Sequence, residues 1–133
     1  MTKTIRVILG AALALLLGAG PAAATAWGPI DSWYNGHRVV KAWGDAGHGS
    51  TSWNNFYLQD PINDGNTVYA KTRFYSSWYP YSLLYQRTTP EIENTTRYFS
   101  HTAPGSYYTI KTIACAEMGW PVPDSCSSWV IIP

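Results

Sequence analysis

The chain has 133 residues, 9 Lys+Arg against 8 Asp+Glu, and two cysteines, and 15% of it is Trp, Tyr or Phe. A near-neutral balance excludes the basic excess that nucleic acid or an anionic membrane surface would attract. The length suits one domain with a modest core, small enough to gain from a covalent staple.

Residues 1–26 read as a signal peptide. Lys3 and Arg6 make a positive start, 7–20 are apolar, and Pro21 ends the run. That run is too short to span a bilayer comfortably. Two small-x-small sites follow, Ala22-Ala23-Ala24 and Ala24-Thr25-Ala26. Cleavage at the second is preferred and leaves Trp27 as the first mature residue. Losing 26 of 133 residues leaves 107, with seven basic against eight acidic side chains, a net charge of −1. No other apolar run is long enough for a membrane span, so no membrane contact is expected.

Residues 27–50 are rich in Gly and Trp. Asn35-Gly36 signals a type I′ turn, and 38–43 could be the strand after it. Gly44, Gly47 and Gly49 make 44–50 look like a mobile loop. The stretch is either a first hairpin or a flexible arm that orders on a partner. Residues 51–133 then read as a β-sandwich domain. A strand is expected over 51–59, followed by turn signals at Asp60-Pro61 and 63–66.

Residues 67–75 carry the clearest period of two. Val68, Ala70, Thr72 and Phe74 fall on one face, and Tyr69, Lys71, Arg73 and Tyr75 on the other. An aromatic connection (76–81), a short strand (82–87) and a polar loop (88–94) follow. Further strands are expected over 95–102, 107–115 and 127–133. No window outside the leader shows a sustained helical period. Six or seven short strands separated by turns indicate an all-β fold, a small antiparallel sandwich or barrel.

Cys115 and Cys126 flank ten residues between two of those strands. An even cysteine count in a small exported chain reads as a disulfide. Closing so short a loop should stabilise the fold by roughly 2–3 kcal/mol.

No catalytic set stands out, and no cofactor or metal is expected. His37, Asp45 and His48 match no closed zinc spacing. Glu91 and Glu93 lie in a polar loop, whereas glycosidase carboxylates usually come from separate elements. No Gly-x-Ser-x-Gly elbow is present, and the glycines of 44–49 open no helix for a phosphate. Both cysteines are committed to each other, which removes a thiol nucleophile.

What remains is the aromatic surplus: seven Trp, ten Tyr and three Phe exceed what so small a core can hide. Half-exposed aromatics serve binding surfaces, although they also favour strands. Tyr69, Arg73 and Tyr75 are interface candidates on one strand face. Trp120 is another, on a loop stiffened by Pro121 and Pro123 and closed by the disulfide. Trp27, Trp33, Tyr34 and Trp43 are candidates in the N-terminal stretch. Tyr69, Tyr75, Trp78 or Trp120 could instead stack on sugar rings.

A short leader, about a hundred mature residues rich in Trp and Tyr, one C-terminal disulfide and a Trp-Val-Ile-Ile-Pro ending resemble the small secreted proteins of high-GC Gram-positive bacteria. In size and layout the chain is similar to the small adaptor subunits of umbrella toxin particles. That resemblance implies a β-rich, non-enzymatic adaptor. Its N-terminal segment, roughly 27–45, would insert into a cleft of a secreted lectin-like subunit, and the rest would dock the stalk of a toxin polypeptide. The expected partner is thus another secreted protein; the alternatives are a glycan or cell-envelope ligand, or a small secreted enzyme or enzyme inhibitor.

Overall fold

A computed structural model describes residues 24–76, 83–88, 95–105 and 109–132. Most of the expected leader, Trp78, Glu91 and Glu93 lie outside the described residues. The described chain is all-β. Its strands are β1 (Thr25–Tyr34), β2 (His37–His48), β3 (Thr51–Asp60), β4 (Val68–Tyr75), β5 (Leu83–Thr88), β6 (Thr95–Pro104), β7 (Thr109–Ala116), β8 (Ser125–Cys126) and β9 (Val130–Ile132).

They form two antiparallel sheets packed as a sandwich. The first has the order β1-β2-β3-β6. The second has β5-β4-β7, with β8 and β9 both on the far side of β7. These last two strands make one interrupted lane. Cys126 faces Cys115 and Val130 faces Thr112, so the lane slips by one residue at 127–129. Ser127 repairs the slip: its N–H donates to Ala114 O at 2.9 Å, and its Oγ accepts from Ala114 N–H at 3.1 Å. The hydroxyl stands in for a ladder carbonyl. β8 precedes the terminal strand expected over 127–133, of which β9 is the paired part, and the described residues hold nine strand segments, more than the expected six or seven.

Alternation sets the core. On β3, Ser52, Asn54, Phe56, Leu58 and Asp60 are buried. On β4 the inward set is Val68, Ala70, Thr72 and Phe74, as its period of two predicts. Val40, Ala42, Ala46, Ile110 and Ala114 are among the residues that add to the apolar filling. A polar chain also crosses between the sheets. Trp27 Nε1 donates to Asn54 Oδ1 at 2.8 Å, Asn54 Nδ2 donates to Thr72 Oγ1 at 2.9 Å, and Thr72 Oγ1 lies 2.7 Å from His101 Nδ1. Buried polar groups cost least when paired in this way.

The N-terminal stretch is the first hairpin and part of the sheet. Asn35 (φ 49°) and Gly36 (φ 79°) make the left-handed pair that a type I′ turn requires. The expectation of a mobile loop over 44–50 is corrected: β2 runs on to His48, paired with β3 from Lys41 to His48. Its glycines mark close packing. Trp27, Gly44, Phe56 and Phe99 share one inward row in register. A Cβ at Gly44 would overlap the Asn55 carbonyl oxygen and sit 2.7 Å from Phe56 Cα. At Gly47 it would strike the Trp53 ring. Gly44 thus leaves room for Trp27 and Phe56, whose ring centroids are 6.1 Å apart.

Candidate binding surfaces

The candidate residues divide between buried positions and two outer faces. Trp27 is 6% exposed and fills the core, which corrects its assignment as a contact residue. Tyr69 lies on the outer side of β4 but is covered. Its hydroxyl hydrogen-bonds Asp124 in the loop between β7 and β8. Burial, reinforced by the Asp124 carboxylate, pushes its pKa up. Tyr69 therefore latches that loop, and its ring does not serve as a free platform.

The latched loop presents Trp120 with 96% of its surface exposed. Val122 N–H donates to Gly119 O at 2.9 Å, and Gly119 takes φ 80°, so Trp120 stands at a turn. Cys115 and Cys126 are disulfide-bonded across directly facing strand positions, 4.1 Å apart at Cα. The loop is thus held at its base by a covalent bond and at its side by Tyr69.

Beside it, the outer face of the second sheet is basic and aromatic. Arg73 Nη1 donates to Tyr75 Oη at 2.9 Å, and that bond lowers the Tyr75 pKa. The Arg73 guanidinium lies 5.8 Å from the Tyr75 ring centre and 5.5 Å from that of Trp129. Lys111 Nζ lies 4.9 Å from the Tyr75 ring and Lys71 Nζ 5.6 Å from that of Tyr69.

The outer face of the first sheet is aromatic and close to neutral. Trp43, Tyr57 and Tyr98 occupy one row across β2, β3 and β6. Ring centroids are 5.5 Å apart for Trp43–Tyr57 and 5.1 Å for Tyr57–Tyr98. Ser100 donates to Asn55 at 2.6 Å on the same face. Beside Trp43, a bulge at Gly28-Pro29 leaves a depression of about 360 Å³, also lined by Lys41. Trp33 and Tyr34 are exposed at the hairpin end. There Arg38 caps the Trp33 ring at 5.1 Å and pairs with Asp31 at 3.0 Å.

Sequence reasoning assigned no contact role to Tyr57, Tyr98, Lys111 or Trp129. Tyr57 and Lys111 alternate with buried neighbours, which is a readable signal. Their meeting with Tyr98 and Arg73 depends on strand order, which the sequence does not carry.

Among the described residues no three His, Cys, Asp or Glu gather to hold a metal. His37 and Asp45 are eight residues apart on one strand, so roughly 27 Å separates them. The chain matches no protein-family model, no curated protein and no solved structure.

Proposed function

We propose that this protein is a secreted, non-enzymatic protein-binding module that grips its partner with the Trp120 loop and the adjoining face of the second sheet. The carrying observation is Trp120, 96% exposed on a loop tied by Cys115–Cys126 and by Tyr69. A large ring held rigid before binding loses little entropy on binding. Aromatic and Arg side chains are the commonest interface anchors. Secretion is supported by the disulfide and by the positive, apolar and small-residue order of 1–26. The resemblance in layout supports a role as adaptor in an extracellular antibacterial toxin complex. Because β1 and β2 belong to the sheet, the segment offered to a lectin-like subunit would be a sheet edge and its hairpin tip.

The test is affinity capture from the producer's own culture medium with the mature protein and its Trp120→Ala variant. Specific capture that falls at least tenfold with Trp120→Ala is expected, about 1.4 kcal/mol or more. Capture of nothing, or undiminished capture by the variant, would overturn the reading.

A second reading, carbohydrate binding, is favoured by the Trp43–Tyr57–Tyr98 row with its neutral hydrogen-bonding neighbours. The Trp43 and Tyr57 planes lie within 20° of each other, so these rings partly cover each other's faces. That leaves less free ring area for sugars. Glycan-array binding that disappears in Tyr57→Ala/Tyr98→Ala would support this second reading.

A further inference from the structure

Four side chains form one row across the second sheet. Arg73 faces Leu84 of β5 and Lys111 of β7, and Lys111 faces Ile131 of β9. The two cations stand in the middle. Leu84 and Ile131, 50% and 61% exposed, stand at the ends. Neighbouring strands are about 4.8 Å apart, so the cations are one strand spacing apart and the aliphatic ends about 14 Å apart. Lys71 adds a third positive charge two residues along β4.

Among the described residues none of these three cations makes a salt bridge; the described pair is Arg38–Asp31 on the other sheet. Their partners here are the ring faces of Tyr69, Tyr75 and Trp129, which orient a cation without neutralising it. Among the described residues, Asp124 and Glu117 act on Tyr69, at the loop end of this face. The chain as a whole carries a formal charge of only +1, so this clustering is a local asymmetry.

Resting on the protein-binding reading above, we infer that this face receives an acidic protein segment. Its carboxylates meet Arg73, Lys111 and Lys71, and its apolar side chains cover Leu84 and Ile131. Charge complementarity selects the acid. The aliphatic ends select a polypeptide over a free polyanion, because a phosphate or sulfate chain has nothing apolar to bury there. Three cations give only about 1 kcal/mol each at an anionic bilayer, too little to hold the domain on a membrane by charge alone. The ring-braced guanidinium of Arg73 offers its remaining N–H groups to a carboxylate in a fork that Lys cannot reproduce.

The test titrates the mature protein with three probes, followed by NMR shifts of the β4, β7 and β9 amides. The probes are an oligoglutamate peptide, the same peptide with leucines at both ends, and phosphatidylglycerol vesicles. The leucine-ended peptide is expected to bind at this face and more tightly than oligoglutamate. Affinity should fall at least tenfold in Lys71→Gln/Arg73→Gln/Lys111→Gln and at 0.5 M salt. Arg73→Lys, which keeps the charge and serves if the triple variant does not fold, should recover only part of it. Peptide binding unaffected by these changes, or binding to vesicles without binding to peptides, would overturn the inference.

The captured partner separates this inference from the broader reading. Capture that requires Trp120 but survives the triple substitution removes the acidic-segment inference and leaves the protein-binding module. Face-dependent peptide binding with no captured partner does the reverse.

Discussion

His101 is 1% exposed and takes part in the polar chain that joins the sheets. Burial, assisted by the positive charge of Arg87, lowers its pKa from about 6.5 to about 4. Between those values the unfolded chain binds a proton that the folded chain refuses. Stability attributable to this residue is therefore intact above pH 6.5 and is lost as pH falls towards 4. The expected loss is on the order of 1–3 kcal/mol, the lower part applying if solvent reaches the ring. Urea midpoints at pH 7, 5.5 and 4 will measure it. A His101→Asn variant should be less stable at pH 7 and should show a shallower fall on acidification, because it lacks the buried imidazole whose protonation the fold refuses. An equal fall in both proteins would refute the role given to His101. Nothing in the sequence marks this residue. It sits in an ordinary strand; the pairing of β3 with β6 sets it opposite Asn54, and the packing of one sheet on the other sets it against Thr72 of β4.

The strands themselves were the legible part. Period-two patterning in β4 separates Phe74 from Tyr75 correctly because one side of that strand is uniformly apolar or small. The same logic misleads at β2. There Gly44, Gly47 and Gly49 suggest flexibility, yet Gly44 lies where the β3 backbone must approach and Gly47 lies against the Trp53 ring, and only Gly49, past the end of β2, has open space. Local composition cannot distinguish a glycine chosen for freedom from one chosen for its missing Cβ. Gly44 decides the matter experimentally. Gly44→Ala should cost about 2–3 kcal/mol, because the methyl meets backbone that cannot rotate away. Gly49→Ala, with open space around it, should change stability little. Thermal melts of the two variants will give the comparison, and a harmless Gly44→Ala would contradict the packed row of Trp27, Gly44 and Phe56. The candidate surfaces were half legible for the same reason. Residues within one strand, such as Tyr69 and Arg73, can be grouped by parity. Groupings across strands, such as Arg73 with Trp129, need the fold.

For the whole molecule, the start of β1 bears on processing. Thr25 pairs with Ala46 and Ala26 with Asp45, ahead of the buried Trp27. Cleavage after Ala26 would remove both pairs and place a new ammonium group on a residue only 6% exposed. Cleavage after Ala24 keeps the strand whole. If the leader is removed as proposed, the mature chain is therefore expected to begin at Thr25 rather than at Trp27, as the small-x-small preference alone suggested. Its intact mass will decide, since the two forms differ by one Thr and one Ala.

The slipped C-terminal lane has a consequence for how copies of the domain meet. An exposed sheet edge is a template on which a second chain can add a strand. Here the outermost lane beside β7 offers two paired residues, then a step, then three. Ser127 spends its hydroxyl on the inner neighbour, and Cys126 is tethered inward. An incoming strand in register with one segment is out of register with the other. The irregularity that closes the sheet inwardly makes it a poor seed for self-assembly outwardly.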